Sequence, residues 1–295
     1  MADMNKKIEE AVVKAAGVSV IQDEGLLVAE DEWTEEREVL AKELLEQDKK
    51  LVPTFWQSKY EKEAAKNWDL FYKRNSTNFY KDRHYLHVVF PDLAPHDDDP
   101  DTVWLLEVGC GVGNAALPLL EINPRLKVVA IDFADKAVEL FHHQPLFDPT
   151  RCHVSVCDIT KDPLPAVIDQ EGGVNYALFM FCLSALHPEK MQDAVQKIAD
   201  SVKPGGKIFF RDYGRFDQAQ LRFKPGHKLA DNFYVRQDNT RAYYFTTDEV
   251  RDLFAKAGMV ECENEYIRRQ YANRSQGVVR FRVWIHAVFQ KPLTE

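Results

Sequence analysis

An apolar run, Val103–Val108, passes directly into Glu107-Val-Gly-Cys-Gly-Val-Gly113 and then into a helical pattern at Asn114–Glu121. A strand that turns through three alternate glycines into a helix restricts the fold more than any other segment. The glycines permit a tight turn and a close approach of backbone to a ligand, and the helix start directs its free N–H groups at that ligand. The surrounding pattern extends the argument. Strands are expected at Lys127–Ile131, Cys152–Cys157, Val174–Phe181 and Lys207–Arg211. Helices are expected at Asp135–Phe141, Pro188–Val202 and Thr247–Ala257. Two long strands, near Val260–Tyr271 and Val278–Gln290, close the chain with no helix between them. Strand–helix alternation of this kind implies a mostly parallel sheet covered on both faces, here with an antiparallel C-terminal edge hairpin. The expected fold is α/β and Rossmann-like, with seven strands and an N-terminal helical extension.

The glycine spacing is G-x-G-x-G, not the G-x-G-x-x-G of nicotinamide proteins. Glu107 stands two residues ahead of Gly109. An acidic residue beside the turn opposes a pyrophosphate and suits a cation. S-adenosylmethionine, with its sulfonium and ammonium groups, fits better than a dinucleotide. Two further carboxylates end strands in the same order. Asp132 stands where ribose hydroxyls lie in such a fold, and Asp158, with Ile159 beside it, stands where an adenine amine can be held. Each aspartate alone could equally be a helix cap.

Charge separates the rest of the chain. The total is −9, yet residues 1–50 hold 14 acidic and 7 basic side chains, whereas residues 203–241 hold 9 basic and 4 acidic, and residues 265–291 hold 6 basic and 1 acidic. Local charge governs phosphate attraction over a Debye length of about 10 Å, so an acidic N-terminus masks a basic C-terminal half. Residues 1–52 are expected to be a flexible acidic extension. Residues 53–100, dense in aromatic side chains, are expected to form a helical segment that packs on the main domain, with Trp68 and Tyr72 one turn apart on one face. Residues 101–295 form the main domain, with a basic insertion near 211–245. That insertion interleaves arginines with Phe216, Phe223, Phe233, Tyr234, Tyr243 and Tyr244, a composition suited to phosphates and unpaired bases, or to a solvated surface over a few core rings. Five cysteines with no C-x-x-C pair argue against a disulfide framework and against a metal site. The charged first ten residues lack a secretion signal, so cytoplasmic placement is expected, with a nuclear pool left open.

The order of glycines and acids, with the Lys203-Pro-Gly-Gly206 turn, resembles the class I methyltransferases over Val103 to Phe289. Longer motifs narrow the resemblance. Asn67-Trp-Asp-Leu-Phe-Tyr-Lys-Arg74, Phe79-Tyr-Lys-Asp-Arg-His84, Leu183-Ser-Ala-Leu-His-Pro188, Phe210-Arg-Asp-Tyr-Gly214, Leu221-Arg-Phe-Lys224 and Asn232-Phe-Tyr-Val-Arg-Gln-Asp238 are similar to the eukaryotic tRNA 3-methylcytidine methyltransferases, from about Ala64 to Pro292. The resemblance implies methylation of cytidine 32 in the anticodon loop of a tRNA subset. It also implies cofactor contacts by Trp68, Tyr72, Gly109, Asp132, Asp158, Ile159 and Met180, and leaves room for a protein helper such as seryl-tRNA synthetase. Asp212 is the expected catalytic carboxylate, with Arg211 or Tyr213 holding the base or a phosphate. A structural ion pair between Asp212 and Arg211 is the alternative. Phosphate contacts are expected from Arg74, Lys81, Arg83, Arg222, Lys224, Arg236 and Arg241. The rival functions are a class I methyltransferase of proteins or small molecules, and an inactive tRNA-binding adaptor.

Overall fold

The structure is a computed structural model, and it describes residues 21–23, 26–95, 102–273 and 278–293. Nine strands form one sheet in the order β1-β2-β11-β12-β7-β6-β3-β4-β5. Its centre is parallel: β3 (Val103–Val108) lies between β4 (Leu126–Asp132) and β6 (Val174–Met180), β5 (Cys152–Val156) flanks β4, and β7 (Val202–Tyr213) flanks β6. β3 is apolar except for Glu107 because both its faces are covered, as expected of a parallel strand. One face of the sheet packs on α4 (Ala116–Ile122) and the Leu86–Leu93 segment; the other packs on α6 (Pro188–Ser201) and α7 (Thr247–Lys256). A reciprocal capping box sets the start of α7: Thr246 Oγ1 accepts from the Glu249 N–H, and a Glu249 carboxylate oxygen accepts from the Thr246 N–H.

β12 (Val278–Gln290) runs antiparallel between β7 and β11 (Val260–Asn273). These seven strands, parallel at the centre with an antiparallel C-terminal hairpin, form the sheet expected, with one correction. β11 is not an edge, because β2 (Leu26–Glu30) adds to it antiparallel and β1 (Ile21–Asp23) adds to β2. The flexible extension expected over 1–52 also differs from what is seen over residues 30–52; residues 1–20 lie outside the described set. There α1 (Glu35–Gln47) buries Ala41 and Leu44 against Phe281, Val283 and Leu221. Within the acidic run, Arg37 is almost wholly buried and held by both oxygens of Asp31 at 2.9 and 2.8 Å, with its guanidinium over Trp33 and Phe281. The run's net charge hid this one neutralised pair.

α2 (Thr54–Lys62) and α3 (Ala64–Asn75) cross the top of the sheet. The insertion after β7 forms a one-turn helix, Gln218–Leu221, and a small antiparallel sheet of β8 (Lys228–Ala230), β9 (Phe233–Val235) and β10 (Arg241–Tyr243). Val52 and Tyr60 pack on Leu229, Phe233 and Val235, and the Val52 N–H donates to the Lys228 carbonyl at 2.8 Å. The helices before the sheet and the insertion within it are therefore one cap.

Candidate active site and cofactor cavity

The C-terminal ends of β3, β4, β5 and β6 surround a cavity roofed by Trp68 and Tyr72 of α3. Ligands in open α/β sheets bind at this end because the strand order reverses there and leaves a crevice. Gly109, Gly111 and Gly113 have φ of 72°, 54° and 93°. A Cβ on Gly109 would lie 2.5 Å from Cys182 Sγ, and one on Gly111 would lie 2.7 Å from the Tyr72 hydroxyl. Gly113 serves a different purpose. It does not line the cavity; a Cβ there would meet Leu117 at 2.7 Å and Phe141 at 2.9 Å, so it permits close packing of the turn on α4 and α5 (Asp135–His142).

The turn is built around carboxylates. Asp132 accepts from the Gly111 N–H and the Ala134 N–H, both at 2.9 Å. Glu107 accepts from the Ala116 N–H at 3.0 Å and so satisfies the first turn of α4 from the neighbouring strand. Both line the cavity and both are buried. Burial pushes the Glu107 carboxyl up to about 8, against the opposing pull of Arg83. Burial likewise pushes Asp132 up to about 6, with the Ala134 and Gly111 N–H groups pulling it back. A cation placed beside them would favour the charged form of both. A pyrophosphate would meet N–H groups already taken and two carboxyls besides. The residues present therefore fit S-adenosylmethionine: Glu107 and Asp132 for its polar groups, the glycines for close backbone approach, and Asp158, Ile159 and Met180 farther along the wall.

Asp158 lines the cavity, and burial alone would raise its carboxyl, but Lys161 at 2.7 Å and the Thr160 hydroxyl at 2.7 Å hold it below the usual range. It thus stays ionised while also tying its own turn. Tyr72 is buried, and its ring stands 6.0 Å from that of Trp68.

The residues expected for catalysis and phosphate contact divide. Arg211, Asp212 and Tyr213 do not line the cavity. Successive β7 residues point to opposite faces, so Arg211 and Asp212 form no ion pair. Asp212 is fully buried and accepts from the N–H groups of Ser184 at 2.9 Å and Tyr213 at 2.8 Å; burial pushes it up to about 6. It fixes the segment after β6 and touches no open space. Arg211 is buried beside His286, 3.4 Å from its Nδ1, beneath Tyr85. Arg83, expected on phosphate, lines the cavity with its guanidinium over the Phe181 ring at 5.0 Å. Arg241, also expected on phosphate, is buried, ion-paired with Glu61 and donating to the Ala185 carbonyl at 3.0 Å. Its charge is spent inside the protein because the insertion needs an anchor to α2. Arg236 is half-buried over Tyr213 at 5.2 Å. Arg74, Lys81, Arg222 and Lys224 are exposed.

Tyr80, Asn114 and Phe181 also line the cavity and escaped sequence reasoning. Phe181 follows Met180 at the end of β6 and has φ of 53°. The strand-end rule applied to the fourth parallel strand as well as the first three points to it. Asn114 donates to Asp82 at 2.8 Å and its carbonyl accepts from the Arg83 N–H at 2.8 Å, so the glycine turn itself holds the Tyr80–Arg83 segment over the cavity.

Residues 106–208 match the family described as Methyltransferase domain. The chain is 47% identical over 251 residues to human tRNA N(3)-cytidine methyltransferase METTL6, covering 85% of this chain and 88% of that protein. This chain belongs to the tRNA N(3)-cytidine methyltransferase family. It is also 38% identical to METTL2 of Danio rerio over 89% of this chain and 83% of the relative. Among solved structures, an S-adenosylmethionine-dependent methyltransferase from Anabaena variabilis aligns with a TM-score of 0.56 and 16% identity, over 77% of this chain and 94% of that one. A Haloferax volcanii chain solved in complex with the Trm112 methyltransferase activator aligns with a TM-score of 0.57 and 14% identity, over 79% and 99%. These two likenesses establish the shared fold. The family carries the S-adenosylmethionine-dependent methyltransferase domain that the cavity fits.

Proposed function

We propose that this chain transfers a methyl group from S-adenosylmethionine to N3 of a cytidine in tRNA, at position 32 of the anticodon loop. The observation that carries the reading is the shape of the cavity wall. Its carboxylates and glycines suit a cationic cofactor, and Tyr80, Arg83 and Phe181, which line the same cavity, suit a base and its phosphate. In neutral cytosine, N3 holds a lone pair and no proton, so attack needs no prior deprotonation. When bound, S-adenosylmethionine supplies an electrophilic methyl group. The chain's own work is placement. Trp68 and Tyr72 close the roof and exclude water. The flat face of Phe181 offers a stacking surface for a base taken out of its loop. The product base is cationic, and the rings of Phe181 and Tyr80 are suited to a delocalised cation. Arg83 is positioned for O2 or a flanking phosphate. Asp212 acts through others, by holding the Ser184 and Tyr213 N–H groups, and is a positioning residue.

The test is incubation with labelled S-adenosylmethionine and total tRNA, followed by digestion to nucleosides. Labelled 3-methylcytidine is expected, lost when cytidine 32 of a responsive tRNA is replaced by uridine. A different labelled nucleoside overturns the reading. If no label appears, seryl-tRNA synthetase is added with serine tRNA. Rescue indicates a helper; continued silence with cofactor bound refutes a tRNA substrate.

A further inference from the structure

The β11–β12 hairpin has two unlike faces. On β12, Phe281, Val283, Ile285, Ala287 and Phe289 are all buried under α1 and α7. The alternate positions face the other way: Arg280 is exposed, and Arg282 and Trp284 are half-buried. Register places Arg280 opposite Tyr271, Arg282 opposite Arg269 and Trp284 opposite Ile267, so these side chains share one face. Trp284 also pairs with Tyr213 on β7. On this face Phe90 stacks on His286 at 4.8 Å and the Tyr85 ring lies 5.8 Å from the Arg211 guanidinium.

Beyond that point the face is a row of rings and guanidinium groups that begins in the cavity wall. Phe181 meets Trp284 at 6.3 Å, and Trp284 meets Tyr271 at 6.3 Å. Phe181 also meets Tyr213 at 5.2 Å. The Arg282 guanidinium lies between Tyr213 and Trp284, at 5.7 and 5.8 Å, and Asp217 fixes it at 2.9 Å. Arg269 is only partly covered, and among the described residues the carboxylate paired with it, Glu30, stands 3.6 Å away and is itself 83% exposed. Of these positions only Tyr213 was among the expected base or phosphate contacts; Arg269, Tyr271, Arg282 and Trp284 were not.

We propose that this open face is an RNA-binding platform that leads the unpaired strand beside the target nucleotide into the cavity. The inference rests on the proposed tRNA substrate. Tyr271 and Trp284 take unpaired bases by stacking, and Arg269 and Arg280 take phosphates. An acidic protein surface would also suit the arginines, but it gives no reason for a ring row continuous with the cavity.

The experiment uses the full chain with Arg269→Glu and Arg280→Glu combined, with Tyr271→Ala, and with Arg280→Gln as a mild surface change. Cofactor affinity and melting temperature check folding. tRNA binding is then followed by anisotropy as salt is varied. The double reversal is expected to weaken tRNA binding at least tenfold and to lower the slope of log K against log salt by about two, with cofactor affinity unchanged. Tyr271→Ala is expected to weaken binding about tenfold and leave the salt slope intact. Variants that keep wild-type affinity, slope and methylation overturn the platform, and loss of binding to a protein partner with tRNA binding unaltered reassigns the face and equally overturns it. Those outcomes leave wild-type methylation standing. A wild-type chain that neither binds nor methylates tRNA removes the underlying reading instead, and the platform with it.

Discussion

At the cofactor end of the cavity, the wall residues from Glu107 to Met180 hang from the C-terminal ends of parallel strands. At the cap, Glu61 of α2, Lys190 of α6 and Arg241 of β10 meet across as many as 180 positions of sequence. The first region is held by backbone: the Gly111 and Ala134 N–H groups grip Asp132, and the Ala116 N–H grips Glu107. The second is held by side chains, through a carboxylate shared by two cations and a small apolar cluster under β8 and β9. The cofactor end is therefore rigid by geometry, whereas the cap is rigid only while its ion network stands.

The sharpest way to break this comparison is at Gly111. A side chain there needs the left-handed φ of 54° and would meet the Tyr72 hydroxyl at 2.7 Å. Gly111→Val should lower cofactor affinity about 1,000-fold, or ~4 kcal/mol, by calorimetric titration. Near-normal binding would show that the turn yields, and that backbone geometry is not what holds this end.

Next comes pH. Glu107, Asp132 and Asp212 are acids whose folded pKa lies above the unfolded value, so the native state holds the extra protons. Stability of the cofactor-free chain should fall as pH rises from about 4.5 to about 8 through Glu107 and from about 3.8 to about 6 through the two aspartates. Between pH 6 and 8 only Glu107 contributes among the three, on the order of 2–3 kcal/mol. Glu107→Gln should flatten that window in urea unfolding. An unchanged slope in the variant would place the titration elsewhere.

At the cap, Glu61→Ala leaves Arg241 buried without its carboxylate. The expected cost is about 2 kcal/mol, less than for a fully buried pair because Glu61 keeps contact with water. It should appear in thermal unfolding and as weaker tRNA binding, with cofactor affinity little changed. Equal loss of cofactor affinity would show that the Arg241–Ala185 hydrogen bond couples the cap to the cavity wall.

The smallest effect distinguishes a spent cation from a free one. Lys81→Gln, on the surface, should weaken tRNA binding a few-fold and lower the salt slope by about one, with no change in melting temperature. Arg241→Gln should do the reverse, costing stability and leaving the salt slope in place.

Much of the cofactor end was legible from the chain alone, for a physical reason. In a parallel α/β sheet, a residue's place at the end of a strand is itself a place in the site, so Glu107, Asp132 and Asp158 could be located by counting strands. Phe181 obeys the same rule and was missed only because its strand bears no carboxylate. The cap was not legible in this way. Arg83, Arg236 and Arg241 all stand in basic, aromatic-rich sequence, yet one faces the cavity, one lies on a ring and one is buried in an ion pair. Composition reports that a cation is present, not which carboxylate it meets. Asp212 and Arg211 were separated by the alternation of a strand, but what each touches depended on Ser184 and His286, contributed by distant segments.

The sequence by itself determined the parallel core, the glycine turn and the family, because each is written in residues adjacent along the chain: apolar runs, glycine spacing and long contiguous motifs. Only the tertiary structure decided the anchoring of α1 by Arg37, the addition of β2 to β11, the inward turn of Arg241 and the ring row along β12. Each of these depends on which segments meet, and that is settled by burial and pairing across the whole fold.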